Sequence, residues 1–485
     1  MGSTVFERQR PNESTVAHAL TGAKHGSFWL DDSPAPAHPT LRGNLSCDLA
    51  VVGGGYSGLW TALLAKQADP DARIVLLEAR TVGWAASGRN GGFCEASLTH
   101  GEENGRTRFA DEYDELERLG MKNLDGIEQT VAALDLDCDF ERNGAIDVAT
   151  EPHQIEWLRE GADGVNSHFL DTAAMRAEVN SRSYLAGLFH THDSALVHPA
   201  KLAHELARAC VEAGVEIFEH TPVAALETRG LASAEGVDVR IGSGASAIIG
   251  ERDVTVRAKK VALGTNVFPS LLKRNRLATV PVYDYVLMTE PLSAEQLASI
   301  GWKNRQGLGD ASNQFHYYRL TADNRILWGG YDAIYHYGRQ ARSSYEDRPA
   351  TFERLASHFF TTFPQLEGIS FTHRWAGAID TCSRFCAFYG SARDNRIAYA
   401  LGYTGLGVGA TRFGAQVMLD FFAGTKTERT ETKMVRSTPM PFPPEPVASM
   451  GIQATRWSLN RADHNEGKRN LILKTLDAVG LGFDS

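Results

Sequence analysis

Cysteine is scarce in this 485-residue chain: Cys47, Cys94, Cys138, Cys210, Cys382 and Cys386 are too few and too scattered for a disulfide scaffold. No run of about 18 apolar residues occurs, so no membrane-spanning helix is expected. The opening MGSTVFERQRPNESTVAHALTG is too polar for a secretory signal. A reducing, cytoplasmic setting follows as the expectation. Basic charge is also in deficit. The formal net charge is -10, and no dense Lys/Arg run offers phosphate backbones a partner, which argues against nucleic acid. Met1-Gly2-Ser3-Thr4 fails the myristoylation pattern because Phe6 stands where Ser or Thr is required. No internal repeat is apparent.

What is present is enough chain for more than one core. CDLAVV reads as a buried strand, YSGLWTALLAKQ carries apolar residues at helical spacing, and ARIVLLEA reads as a second strand. Far downstream, PAKLAHELARACVEAG, VEIFEH and RAKKVALGTN repeat this alternation, and NRIAYALGYTGLGVGATRFGAQVMLDFFAG again reads as strand, glycine loop and helix. Between them GAIDVAT, VPVYDYVLMTEPL, FHYYRL, RILWGGY and HRWAGAID have strand character with aromatic weight. The expected fold is α/β: a discontinuous Rossmann-like domain (47–140, 199–270 and 381–435) with a second, mostly antiparallel-sheet substrate domain (141–198 and 271–380). Residues 1–46 read as an arm across the surface. A Pro-rich link leads into a tail over 436–485.

Gly53-x-Gly55-x-x-Gly58 follows the first strand and opens the first helix. The first glycine makes the tight turn, the second admits pyrophosphate to the backbone, and the third lets helix touch strand. The free N–H groups and partial positive charge of the helix start then face the phosphates. Glu78 ends the next strand, where a carboxylate can accept from a ribose diol and would repel a 2′-phosphate. The fingerprint alone leaves NAD and FAD open.

A second glycine-rich loop, VGWAASGRNGGF, bears on that choice. VVGGGYSGL, EA, ASGRNGG, ALGTN, MTEPL and GYTGLGV resemble, in form and order, the D-amino-acid oxidase and glycine oxidase (DAO) family of FAD-dependent oxidoreductases. The likeness is closest to the branch that contains gamma-glutamylputrescine oxidase, and runs from about Ser27 to Gly424. It implies that Gly53, Gly55, Tyr56, Ser57, Gly58, Glu78 and Arg80 hold the ADP half of FAD. It places Ser87, Gly88, Arg89, Asn90, Gly91 and Gly92 along the pyrophosphate and ring edge, and Val223 at adenine, with Gly264 in the same cradle. Thr404, Gly405, Leu406, Gly407 and Val408 meet the pyrimidine end of the flavin. A helix opening at that last loop would face the flavin with its positive end, where negative charge grows on reduction.

In this family a C–H beside nitrogen gives hydride to flavin N5, and the resulting imine hydrolyses. The expected substrate is therefore a small primary or secondary amine or modified amino acid, with oxygen or another oxidant as electron acceptor. His316, Tyr318, Trp328 and Asp380 are the candidate catalytic residues; Tyr283, Tyr285, Tyr317 and Trp375 are further aromatics that could form the pocket. Three departures stand out. Ile379 and Asp380 occupy the place of the arginine that grips a substrate carboxylate, so Asp380 is a candidate for attracting a second cationic amine, while Arg319 or Arg384 could serve a displaced carboxylate. Trp328 aligns with the oxygen-promoting lysine of monomeric sarcosine oxidase. Gly377 aligns near that enzyme's flavin-linking cysteine, so the FAD is expected to be non-covalent. Cys382 and Cys386 read as free core thiols. No metal is expected, although His190-x-His192 could form half of a site on one strand face. The rival readings are an NAD-dependent dehydrogenase and a non-catalytic flavin-binding assembly protein.

Overall fold

The computed structural model describes residues 2–228, 236–242, 254–478 and 480–482; parts of the expected 199–270 segment and the end of the tail lie outside them. Strand β1 (Leu45–Val52) runs into helix α1 (Tyr56–Ala68) and strand β2 (Ile74–Leu77); helix α2 (Pro199–Glu212) and strand β3 (Thr255–Leu263) follow much later. Next come β4 (Thr279–Thr289), β5 (His316–Leu320), β6 (Ile326–Gly330), helix α3 (Pro349–Thr362) and β7 (Phe371–Cys382). The chain then returns through β8 (Ile397–Leu401) to helix α4 (Gly407–Ala423).

β3, β1 and β2 are parallel neighbours, with Val256 opposite Leu45 and Leu49 opposite Ile74. β8 joins the C-terminal half of β3, also in parallel. Both faces of β1 are buried, which is why it is continuously apolar rather than alternating. On one face Leu49 and Val51 pack with Leu59, Trp60 and Leu63 of α1, Leu202 and Leu206 of α2, and Val417 of α4. On the other, Ala50 and Val52 pack with Val75, Leu77, Phe388 and Tyr399.

The second sheet has the order Lys24–His25, β7, β4, β6, β5, then strands at 307–310, 145–149, 186–190 and 167–170. Antiparallel pairing dominates, and a parallel pair joins 307–310 to 145–149. Here each strand alternates. Tyr283, Tyr285 and Leu287 of β4 join Tyr318, Trp328, Phe352 and Phe359 in a core capped by α3. The intervening Val280, Val282 and Asp284 face a cavity shared with the first sheet. The fold is the two-sheet α/β arrangement expected from the sequence.

The N-terminal segment does more than cross the surface. Phe28 and Trp29 lie on a short helix, Phe28–Asp32, and pack with Val286, Met288, Leu327 and Trp375 of the second sheet. Phe6 stacks on His358, ring centroids 4.4 Å apart. Large aromatics in an otherwise polar stretch find burial here against a sheet distant in sequence. Among the described residues no helix is long and apolar enough to cross a membrane, and no group of three or more His, Cys, Asp or Glu is disposed to hold a metal.

Trp328 is 0% exposed and packs against Tyr318, Phe359 and Phe363. Trp328→Ala is expected to cost about 3–5 kcal/mol of folding stability, measured as a lower denaturation midpoint.

Candidate functional site

A cavity of about 2460 Å³ is lined by residues of both sheets. Its floor at one end is the turn between β1 and α1. Gly53 has φ +110°, a conformation side chains disfavour. A Cβ on Gly58 would lie 1.9 Å from the Gly53 carbonyl oxygen, so the first turn of α1 rests directly on the strand end. This contact aims the start of α1 into the cavity, where Gly55, Tyr56 and Ser57 line the wall. Glu78 is buried beside them. Its Oε2 accepts from Gly54 N at 2.6 Å, and its Oε1 from Arg80 N at 2.8 Å and Trp84 Nε1 at 2.9 Å. Arg80 stacks over the Trp84 ring, 4.1 Å from its centroid.

The loop 86–92 crosses above. Ser87 Oγ accepts from Tyr56 N at 3.0 Å, and Asn90 braces the loop internally through Ala86 O, Ser87 O and Gly92 N. Ser27 Oγ donates to Gly88 O, Trp29 Nε1 to Asn90 O and Trp375 Nε1 to Arg89 O, at 2.8 to 2.9 Å. The N-terminal segment and the second sheet thus hold the loop over the first sheet. Arg89 pairs with Glu346 at 2.5 Å.

The far wall is the loop before α4. Thr404 and Gly405 have φ of 49° and 95°, turning the chain so that Thr404, Gly405, Leu406, Gly407 and Val408 all line the cavity at the start of α4. Tyr403 and Ser57 hydroxyls, 3.3 Å apart, join this loop to α1. One cavity therefore has a helix N-terminus at each of two walls, both sources of unpaired N–H groups and positive potential.

Of the sequence-derived cofactor residues, Gly53, Gly55, Tyr56, Ser57, Glu78, Arg80, Ser87, Arg89, Asn90, Gly91, Val223, Gly264 and Thr404 to Val408 line this cavity. Gly58, Gly88 and Gly92 sit behind it, as points of close packing: a Cβ would meet the Gly53 carbonyl, the Gly83 carbonyl and Leu30, and the Val197 carbonyl respectively.

The candidate catalytic set divides. Asp380 lines the cavity, but its Oδ2 accepts from Gly402 N at 2.6 Å and its carbonyl from Thr404 N at 3.1 Å, so it braces the loop before α4. Burial pushes its carboxyl up to about 6, against the pull of Gly402 N–H and Thr279. His316, Tyr318 and Trp328 require correction: they face the opposite side of the sheet. His316 Nδ1 lies 2.6 Å from Asp310 Oδ2 and Nε2 lies 3.0 Å from His358 Nδ1, while Tyr318 OH donates to Asp310 Oδ1 at 3.2 Å. Side chains alternate along a strand, so Tyr317, between His316 and Tyr318, is the one that reaches the cavity. The strand carrying His190 ends there, and His190 pairs with Asp147 and Asp193. Burial works against its charge, but those carboxylates push it up to about 10.

Sequence reasoning missed Asp284. It lines the cavity from β4 and accepts the Tyr317 hydroxyl proton at Oδ2. The available signal was a lone carboxylate within VPVYDYVLM.

Comparison with known proteins agrees with this architecture. A family model described as FAD dependent oxidoreductase (DAO) matches residues 48–420. Gamma-glutamylputrescine oxidoreductase of Escherichia coli strain K12 is 32% identical over 405 residues, covering 79% of this chain and 85% of that protein. Glycine oxidase from Geobacillus kaustophilus superposes with a TM-score of 0.62 at 18% identity, covering 79% of this chain and 96% of its own. Iminodiacetate oxidase from Chelativorans sp. BNC1 gives 0.61 at 12% identity, covering 81% and 98%.

Gly58→Ala is expected to cost roughly 1–3 kcal/mol in fit at the turn, about a tenfold or greater loss of flavin affinity, measured as flavin bound per purified chain.

Proposed function

Because the chain belongs to the DAO family of FAD-dependent oxidoreductases, we propose that it oxidises the C–N bond of a primary or secondary amine in the cavity between its sheets. FAD supplies the hydride acceptor. The residues present fit that cofactor. Gly53, Gly55 and Ser57 at the start of α1, with Glu78, suit the ADP half. The loop 86–92 suits the pyrophosphate, and Thr404 to Val408 the ring. The flavin-linking cysteine of monomeric sarcosine oxidase falls near Gly377, which supports non-covalent attachment.

The observation that carries the substrate class is the state of the two arginines that could have gripped a carboxylate. Arg319 is 1% exposed and donates to Val197 O at 2.6 Å and Leu320 O at 3.2 Å. Arg384 is 6% exposed and donates to the carbonyls of Cys386, Ala387, Met434 and Ser437. Neither lines the cavity. Glu95, Asp284 and Asp380 do, and Arg89, which also lines it, is paired with Glu346 at 2.5 Å. Burial, with Asp193 and Asp147 nearby, pushes Glu95 up to about 7. Such a wall favours a cationic amine over a simple α-amino acid, whose carboxylate would meet like charge. The imine formed hydrolyses to a carbonyl compound plus ammonia or an amine, and oxygen or another oxidant takes the electrons. Six buried, unpaired cysteines support a reducing, cytoplasmic setting.

Anaerobic mixing of the holoenzyme with a panel of primary amines, secondary amines and diamines, against glycine and D-alanine, tests this reading. Rapid bleaching of the flavin by at least one amine, and slower or no bleaching by the amino acids, is expected. Failure of every amine would overturn it.

A further inference from the structure

The carboxylates of the cavity differ in what the fold already asks of them. Glu78 accepts from two backbone amides and an indole. Asp380 holds Gly402 N–H. Asp310 is bound to His316 and Tyr318. Glu95 lies in the field of the Asp147–His190–Asp193 group. Asp284 closes no ion pair among the described residues; its carboxylate accepts the Tyr317 hydroxyl and faces the amides of Tyr285 and Gly330.

That hydroxyl is held in place on three sides. A Cβ on Gly91 would lie 2.6 Å from the Tyr317 ring, and one on Gly329 would lie 2.7 Å from its hydroxyl oxygen. Phe93 packs edge-on at 5.9 Å. Tyr317 is therefore clamped between the 86–92 loop and the second sheet, with its O–H directed at Asp284. On the other side, Gly377 of β7 stands opposite Asp284 in register. A Cβ there would meet nothing nearer than Arg89 Cβ at 3.8 Å, so the space beside the carboxylate is open. The slot lies against the loop that follows the nucleotide turn.

The geometry points to Asp284, oriented by Tyr317, as the group that binds the substrate ammonium and takes its proton. This rests on the amine-oxidase reading above. The N–H bond of the ammonium breaks and an O–H bond forms on Asp284. The neutral amine then holds the lone pair that forms the C=N bond as its neighbouring C–H leaves with two electrons, which the family's FAD accepts. Asp284 is suited to both tasks. Burial pushes its carboxyl up to about 6, opposed by the Tyr317 hydroxyl and the amides of Tyr285 and Gly330 and reinforced by Asp332. A base in that range is largely ionised at neutral pH yet basic enough to accept a proton. The charged and titratable groups around it are Tyr317 from β5, Asp332 after β6, and Arg89 from the loop; β4 presents Val280, Val282, Val286 and Met288 on the same face, and β7 presents Gly377. Asp332 pairs with Arg354 at 2.7 Å, and Arg89 with Glu346.

The test uses the FAD-loaded enzyme and two readouts. Tert-butylammonium, which has no C–H beside nitrogen, is titrated against the flavin spectrum to measure cation binding alone. Anaerobic reduction by the best amine of the panel is followed across pH. Asp284→Asn, close to isosteric, is expected to retain FAD, to bind tert-butylammonium at least about tenfold more weakly, and to be reduced about 100-fold more slowly without the acid limb of the wild-type profile. Tyr317→Phe removes a bond that stabilises the carboxylate, so its acid limb is expected to move to higher pH. Unchanged tert-butylammonium binding and an unchanged pH profile in Asp284→Asn would overturn the assignment while leaving amine oxidation intact. Asp284-dependent binding of tert-butylammonium in an enzyme that no amine reduces would uphold the cation site and overturn amine oxidation instead.

Discussion

The architecture depends on one close approach: the first turn of α1 lies on the end of β1 with no side chain between them, Gly58 against the Gly53 carbonyl. Any Cβ at Gly58 would force the helix away from the strand. The helix would then no longer present its first amides to the cavity, and Glu78, which holds Gly54 N at 2.6 Å, would lose the geometry of its own site. A turn of this kind stabilises nothing by hydrophobic burial. Its value is positional, since unpaired N–H groups at a helix start favour negative charge only where a ligand can reach them.

The rest of the molecule extends that local constraint into a closed site. The loop 86–92 is fastened from above by Trp29 and Trp375 and from below by Ser87 on Tyr56 N, so the two sheets share it. The loop before α4 is fastened by Asp380 and by the Tyr403–Ser57 contact. The site thus has rigid walls from both layers, and its charge is set by which groups the folding interactions already occupy. Arg319 and Arg384 are engaged by backbone carbonyls behind the wall and Arg89 is paired with Glu346, whereas Asp284 and Glu95 line the cavity. The proposed preference for a cationic amine rests on that difference.

The sequence made the nucleotide half legible because its signals are local. Gly53, Gly55, Gly58 and Glu78 lie within one strand–helix–strand unit, and the spacing itself carries the chemistry. The strands of the second sheet were equally legible as strands. What alternation could not say is which face of each strand looks at the cavity, because a period of two marks two faces and names neither. His316, Tyr318 and Trp328 fall on the α3 side and Tyr317 on the other, a choice settled by the packing of α3 and the N-terminal segment, both distant in sequence. Asp284 escaped notice between two tyrosines for the same reason. The burial of Trp29 was illegible because its partners, Val286, Leu327 and Trp375, lie more than two hundred residues away.

In the proposed holoenzyme FAD spans the cavity from the α1 turn to the start of α4, with its reacting face toward the second sheet. A crystal structure of the FAD-loaded enzyme is the decisive measurement. The diphosphate is expected at Gly55 and the ring between Thr404–Val408 and the Tyr317–Asp284 pair. A ring system placed elsewhere, or a diphosphate away from the start of α1, would contradict it.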